Sequence, residues 1–392
     1  MINSRIENLR KKLKRYNIDG YIVPKNDEYF NEYSSPDRLK FISNFDGSAG
    51  LAIILKDKNY LFVDGRYTTQ AKYQSGKNYN VVPIHQKLPW TVFKNKIQIG
   101  YNPYCFTSST LLKYFKTYIR LKPIYNDLIK VQSNKKNKKF YLLNKNITGE
   151  DYKQKITRVL KYLREDKSDC YFVSAPENVA WLLNLRGSDN PHSPIPNCRL
   201  ILKTNGEIII FTKKSKIYNL LKNGSFIKAK LKSECKINNF LENLKAKKII
   251  IDRQSCSVAY EKIIKKKTTI SDKNDPIYFM KSIKNSTEIK NIIKSHIFDG
   301  VAVIKFLCWF KNNKYKLTEL DAQKKLEYFR KKHKNYLYPS FNTIAASGPN
   351  SAIIHYKATK ETNRLIKKNE IFLLDSGGQY KYGTTDITRT LC

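Results

Sequence analysis

Ile371-Phe-Leu-Leu-Asp375-Ser-Gly-Gly-Gln-Tyr380-Lys-Tyr-Gly-Thr-Thr-Asp386-Ile-Thr-Arg-Thr390 combines two β-rich runs, a glycine pair and two carboxylates. Ile371 to Leu374 is an apolar run that predicts a buried strand. Asp375 follows directly, and Gly377-Gly378 offers the backbone freedom for a reversal of direction. Asp386 is expected inside a second strand-like run, Thr384 to Thr388. If the strands pair, two carboxylates converge at the edge of a buried sheet. Ionised carboxylates that close repel, so one reading places divalent cations between them. The other is a hairpin with ordinary structural bonds, in which Arg389 neutralises Asp386. Spacing leaves both open.

The chain has 392 residues, enough for two or three domains, and 41% of them are hydrophobic, enough to bury real cores. Its 74 Lys plus Arg against 33 Asp plus Glu give a net charge of +41. Such a charge invites a polyanionic partner. Most of the basic residues are Lys, however, which makes poorer bidentate contacts than Arg. They are spread along the chain, with only short clusters at Lys135-Lys136-Asn-Lys138-Lys139 and Lys265-Lys266-Lys267. Abundant Asn, Ile and Tyr are what A/T-rich codon usage produces, so no specific nucleic-acid partner is expected. The seven cysteines (Cys105, Cys170, Cys198, Cys235, Cys256, Cys308 and Cys392) include no C-x-x-C pair. Neither a disulfide framework nor a zinc site is suggested, and a reducing cytoplasm fits. Met1 to Tyr16 is amphipathic and charged, without the apolar core of a signal sequence. Gly300 to Phe310 carries Lys305 and is too short to span a bilayer. A soluble cytoplasmic protein is expected, with no membrane partner.

Upstream, Ser4 is placed to cap a first helix with Ile6, Leu9 and Leu13 on one face. Tyr21 to Pro24 reads as a buried strand, Asp37 to Ile42 as a short helix, and Leu51 to Leu55 with Tyr60 to Val63 as a hairpin. Asp64-Gly-Arg66-Tyr starts a helix through Ala71. This alternation predicts a small α/β domain over residues 1–131. Residues 140–280 repeat the plan. A helix near Tyr152 to Leu163 precedes the strand Cys170 to Val173, and Asn178-Val-Ala-Trp181-Leu-Leu-Asn184-Leu-Arg-Gly187-Ser188 mirrors Arg38-Leu-Lys-Phe41-Ile-Ser-Asn44-Phe-Asp-Gly47-Ser48. Leu200 to Leu202 and Glu207 to Phe211 form the matching hairpin. The two copies are joined by a basic, polar linker, Gln132 to Lys139. Arg66 and Arg186 read as one turn arginine per copy, anchoring loops by hydrogen bonds.

A third domain is expected over 281–392. Asn285 and Glu288 have capping-box spacing. Ile289, Ile292, Ile293, Ile297, Val301, Ile304 and Cys308 mark the expected buried face of a long helix, with His296 beside it as a packed or partly exposed histidine. Thr318 caps a second helix carrying Leu320, Leu326 and Phe329. The strand Ser340 to Ala346, the turn Ser347-Gly-Pro-Asn350 and the run Ile353-Ile-His355-Tyr356 come next. A lone histidine in an apolar strand is most often hydrogen-bonded in place.

Leu374 to Tyr380 with Gly383 to Thr390 resembles the first metal-binding segment of the aminopeptidases P, Xaa-Pro aminopeptidases of the creatinase or pita-bread metallopeptidases. Asp37 to Phe41, Asn44 to Gly50, Asp64 to Tyr67 and Trp181 to Asp189 resemble the two non-catalytic domains of the three-domain form. The resemblance therefore spans essentially the whole chain. It implies an α/β and α+β protein: two tandem creatinase-N-like α/β domains, then an incomplete pita-bread catalytic domain.

The resemblance further implies that Asp375 chelates one metal and Asp386 bridges two, most often Mn2+. The two ions activate water to hydrolyse the bond between an N-terminal residue and a following proline. His355, in Ser-Gly-Pro-Asn-Ser-Ala-Ile-Ile-His-Tyr, matches the histidine that binds substrate and assists the reacting carbonyl. Ser351 stands where the family often has Gly. The family's remaining ligands, a His and two Glu, are absent from this sequence. The chain is thus expected to be cut within the catalytic domain and inactive alone, with a homodimer or a second polypeptide carrying the missing ligands as candidate partners. The alternative is a non-catalytic pita-bread remnant that binds peptides or proteins.

Overall fold

Asp19 and Asp169 open the same local structure twice. The Asp19 N–H donates to Gln98 O at 2.8 Å, and the Asp169 N–H donates to Lys248 O at 2.9 Å. Each carboxylate accepts from the same neighbouring strand, Asp19 from Gln98 N at 3.0 Å and Asp169 from Lys248 N at 3.0 Å. Each Asp leads into a strand buried at every position, because the sheet is covered on both faces. These elements belong to a computed structural model of the chain, which describes residues 2–33, 36–93, 95–116, 118–131, 138–222 and 228–392. Most of the expected linker Gln132 to Lys139 lies outside the described residues.

The first copy has six strands: β1 (Gly20–Pro24), β2 (Gly50–Leu55), β3 (Asn59–Val63), β4 (Asn80–Pro83), β5 (Ile97–Tyr101) and β6 (Ile119–Pro123). Their order is β4-β3-β2-β1-β5-β6. A short ribbon pairs β7 (Tyr141–Leu142) with β9 (Leu185–Arg186), on either side of β8 (Cys170–Val173) in sequence. The second copy adds β10 (Arg199–Lys203), β11 (Ile208–Phe211), β12 (Ala229–Lys232), β13 (Lys248–Ile251) and β14 (Thr269–Asp272), in the order β12-β11-β10-β8-β13-β14. Strand directions agree pair by pair, antiparallel in the central hairpin and parallel toward both edges.

The repeat extends to buried polar side chains. In the first copy the Tyr21 hydroxyl and the Arg38 guanidinium both donate to Asp127. At the matching position of the second copy, Asn178 Nδ2 donates to Asp275 Oδ2 at 2.6 Å. The expected turn arginines do local work. Arg66 Nε donates to Asp64 Oδ1 at 2.8 Å, and Arg186 Nη1 donates to Ala180 O at 2.9 Å.

The two copies form one compact unit, Met1–Leu143, Glu150–Asn190 and Ile195–Ile283. Thr107 and Ser257 make an antiparallel bridge within it, and Val258 N donates to Phe106 O at 2.8 Å. Arg199 is buried with its guanidinium 4.1 Å from the Tyr29 ring and 4.8 Å from the Tyr260 ring, tying the copies together. The second compact unit comprises Asn144–Gly149, Pro191–Pro194 and Lys284–Cys392.

In the second unit the capping box at Asn285 and Glu288 is formed, with bonds of 3.0 and 2.9 Å, and it starts the 28-residue helix Ser286–Asn313. Thr318 caps Glu319–Lys331 as expected. The strands are β15 (Tyr336–Pro339), β16 (Ile344–Ser347), β17 (Phe372–Ser376), β18 (Gly378–Tyr380), β19 (Gly383–Thr384) and β20 (Ile387–Leu391). They make two three-stranded antiparallel sheets, β15-β18-β19 and β16-β17-β20. Phe306, Phe310, Leu326, Phe372 and Leu374 fill the core between helices and sheet.

The long helix buries a different face from the expected one. Ser295, Asp299, Ala302, Val303, Phe306 and Phe310 point inward. Ile293, Ile297 and Ile304 are 56%, 60% and 61% exposed. The helix carries two apolar stripes, and the inner one was disguised by Asp299, which is buried because it meets Arg330. Among the described residues no helix is long and apolar enough to cross a membrane.

Candidate metal centre

The hairpin from Phe372 to Leu391 changes sheets halfway along both arms. Its first arm is β17 in one sheet and β18 in the other, and its second arm is β19 and then β20. The switch falls at Gly377 on one arm and at Thr385-Asp386 on the other. A Cβ at Gly377 would collide with the Thr385 carbonyl and the Ser340 hydroxyl, so glycine is needed for close approach. The expected reversal at Gly377-Gly378 is thereby corrected: the chain turns at Lys381-Tyr382 instead. Ser340 pins the switch, its N–H donating to Gly377 O at 3.1 Å and its hydroxyl to Thr385 O at 2.9 Å.

Asp375 and Asp386 flank this switch and are brought together. Asp375 lies in β17, half-buried, opposite Thr388 of β20, whose hydroxyl donates to Asp375 Oδ1 at 2.8 Å. Asp386 lies in the exposed link between β19 and β20, outside the strand in which the sequence reading put it. Partial burial of its carboxyl, and then the charge of Asp375 and a hydrogen bond shared with it, push the Asp386 pKa up. His296, on the long helix, opposes that shift electrostatically. Its Nδ1 lies 3.0 Å from Ile292 O. Arg389 turns away to Thr388 O at 2.7 Å, so the neutralisation of Asp386 by Arg389 gives way to a carboxylate pair.

A buried ion pair supports the switch from beneath. Arg330 Nε donates to Asp299 Oδ1 at 2.6 Å and Arg330 Nη2 to Asp299 Oδ2 at 3.0 Å, with side-chain exposures of 1% and 0%. Asp299 also accepts from the Tyr380 and Thr385 hydroxyls, and Arg330 donates to the Ser376 hydroxyl. Ser376 and Thr385 are the chain neighbours of Asp375 and Asp386. The pair therefore grips both arms one residue from each carboxylate. Sequence reasoning missed this network; its one visible signal was an acidic residue within an apolar helical stretch. On the outer sheet, His192 Nδ1 lies 3.0 Å from Pro339 O, and Gln379 Nε2 donates to His192 O at 3.1 Å.

His355 lies in a turn, exposed, in the left-handed region at φ 56°. The expected apolar strand is absent there because the short 3-10 turn Gly348–Ala352 diverts the chain after β16.

Paired carboxylates repelling across a gap are what a hard divalent cation relieves, and an all-oxygen donor set suits such an ion. The fit is partial. Among the described residues no group of three or more His, Cys, Asp and Glu gathers to hold a metal.

Tandem α/β repeats followed by a carboxylate-bearing hairpin domain define a class, and comparison with known proteins identifies it. Residues 5–127 and 132–288 match the Creatinase/Prolidase N-terminal domain, and residues 290–392 match metallopeptidase family M24. The chain is 33% identical to a probable Xaa-Pro aminopeptidase P of Laccaria bicolor over 98% of its length and 64% of the relative's. It is 34% identical to Xaa-Pro aminopeptidase ApepP of Drosophila melanogaster, covering 95% of this chain and 65% of that one. A probable Xaa-Pro aminopeptidase P of Paracoccidioides brasiliensis is 32% identical, with 99% and 69% covered. The X-prolyl aminopeptidase of Caenorhabditis elegans, described as a cytosolic enzyme with a di-nuclear active site, superimposes with a TM-score of 0.88 at 24% identity, over 100% of this chain and 70% of that one. The chain belongs to the Xaa-Pro aminopeptidase P family. It spans about two thirds of the length of the relatives it matches.

Proposed function

We propose that this chain supplies the carboxylate half of a dinuclear Xaa-Pro aminopeptidase site, acting on peptides with proline in second position. The observation that carries the reading is the convergence of Asp375 and Asp386 at the sheet switch. In this reading Asp375 and Asp386 would be the residues that hold the two divalent ions, and oxygen donors make Mn2+ the expected metal. When bound, the ions supply an activated water and polarise the scissile carbonyl. His355 binds substrate and donates a hydrogen bond to the carbonyl oxygen as negative charge develops there. The Asp299–Arg330 pair holds the two carboxylates at fixed separation. Residues 1–131 and 140–280 are the two non-catalytic domains and 281–392 the metal-bearing one.

Two carboxylates make a weak dinuclear site, so we propose further that hydrolysis needs a His and two Glu from outside this sequence, on a second polypeptide or a longer product. A homodimer and a cytoplasmic location fit the family resemblance.

The deciding experiment is the intact mass of the protein from its own cells, followed by Xaa-Pro cleavage and Mn2+ binding on the same sample. A larger mass or a tightly bound second fragment, with cleavage abolished by Asp375→Asn or Asp386→Asn, supports the reading. A mass of 45.9 kDa with no companion and no cleavage favours a peptide- or protein-binding remnant. Cleavage by pure protein of that mass would sink the requirement for outside ligands.

A further inference from the structure

The segment carrying His355 runs from Gly348 to Ile371 without a strand, and a buried carboxylate holds it on both sides of the histidine. Glu319 opens the helix Glu319–Lys331 and is fully buried. Its Oε1 accepts from Ser347 N at 2.7 Å and from Asn350 Nδ2 at 3.0 Å. Its Oε2 accepts from the Tyr356 hydroxyl at 2.9 Å. Asn350 precedes His355 across the short turn, and Tyr356 follows it directly. Asn350 Nδ2 also reaches Thr362 O at 3.2 Å, and the Tyr356 hydroxyl, with one hydrogen to share between Glu319 and Thr362, lies 3.1 Å from the same carbonyl, so the far side of the segment is tied to the same knot.

The three neighbours suit an acid at this position. Ser347 N–H, the Asn350 amide and the Tyr356 hydroxyl all present hydrogens, and an ionised carboxylate only accepts. An amide of the same shape would turn an N–H toward one of them, and the Tyr356 hydroxyl could accept it only by giving its own hydrogen to Thr362. Among the described residues Glu319 makes no ion pair; its oxygens are met by these donors at the first turn of the helix. Burying a charge this way is costly unless the bonds are satisfied. What the bonds fix is the pair of residues bracketing a left-handed turn, which is strained for a non-glycine residue and persists only when its surroundings hold it.

We propose that Glu319 is a positioning residue for His355: its carboxylate clamps Asn350 and Tyr356 and so sets the direction in which the imidazole is presented. The proposal rests on the reading of His355 as the substrate-binding histidine.

The test uses the five histidines of the chain, few enough for ring-labelled NMR to resolve each one. His355→Gln assigns the His355 signal. In Glu319→Gln, that signal is expected to shift or split beyond its line width, while His85, His192, His296 and His333 stay in place and melting remains cooperative. A His355 signal that does not move overturns the proposal, and so does a change spread over all the histidines of the second unit. Should Glu319→Gln fail to fold, Asn350→Ala removes one arm of the clamp and is judged by the same signals. Adding an Ala-Pro dipeptide to the wild-type chain tests the underlying reading separately. Failure of the His355 signal to respond removes its substrate role, whatever the Glu319 spectra show.

Discussion

Asp299 and Arg330 form an ion pair with almost no access to water, and such a pair behaves asymmetrically. Removing one partner strands the other charge, which typically costs about 3–5 kcal/mol, whereas replacing both with apolar groups is often close to neutral. Arg330→Met is therefore expected to lower unfolding free energy in urea by about 3–5 kcal/mol. The double change Asp299→Leu with Arg330→Met should recover only part of this, because the Tyr380 and Thr385 hydroxyls lose their acceptor. Full additivity of the two single changes would show that the pair is not coupled. His333 gives a pH-dependent counterpart. Burial, and then the neighbouring Lys334, hold its pKa below the usual histidine value of 6.5. Its Nδ1 accepts the Asn335 N–H at 3.2 Å, its ring stacks on Phe298 at 3.9 Å, and Tyr380 packs against its edge. The folded state thus binds the proton more weakly than the unfolded state, and stability must fall as pH drops from about 6.5 through the lower folded value. His333→Gln keeps an acceptor but does not titrate. Denaturation at pH 7.5 and 5 should show a smaller loss in the variant than in the wild type, and equal losses would discard this account.

Helix Ser286–Asn313 shows what a periodic pattern can and cannot decide. Both of its stripes have helical spacing, so periodicity established the helix and its cap but could not choose the buried side. The choice depends on Arg330, in another helix, which makes burial of Asp299 tolerable, and that information is not local. The expected effects of truncation are opposite to the sequence expectation. Phe306→Ala should cost about 3–5 kcal/mol, and Ile297→Ala about 0.5 kcal/mol or less. Comparable losses at the two positions would mean that the Ile297 face is covered. The carboxylate hairpin was legible in a similar, partial way. Its strands, its glycines and the convergence of Asp375 with Asp386 follow from the sequence pattern. The sheet switch does not, because the pairing of β18 with β15 is a long-range choice. Gly377→Ala tests the switch: a methyl group forced against Thr385 and Ser340 is expected to cost about 1–3 kcal/mol or more. On the proposed reading of the carboxylate pair it should also weaken divalent-cation binding, measured by calorimetry with Mn2+ as the probe. A neutral result would return Gly377 to an ordinary turn glycine. The turn that carries His355 was not legible in the sequence, since the residues beside it are held by Glu319, far from it in the chain.

Over the whole molecule, sequence duplication and spatial packing group the chain at different levels. The repeat marks two α/β copies, each matching an N-terminal domain of the family, and the two pack into one compact unit. Arg199 between Tyr29 and Tyr260, the Thr107–Ser257 bridge and the Val258 to Phe106 bond make each copy a part of the other's surroundings. Opening one copy would expose a buried guanidinium and break backbone bonds of the other, so neither should unfold alone under conditions where the other is stable. The three tryptophans provide a direct measurement. Trp90 packs into the first copy, Trp181 into the second, and Trp309 into the core of the second unit. With the other two replaced by Phe, each reports on one region during urea unfolding. The Trp90 and Trp181 transitions are expected to coincide in midpoint, and Trp309 to follow its own. Arg330→Met sharpens the comparison, because it should lower the Trp309 midpoint and leave the other two where they were. If Trp90 and Trp181 separate, the copies are energetically independent despite the contacts between them. If Arg330→Met moves all three midpoints together, the compact units unfold as one, and the second unit draws its stability from the whole chain.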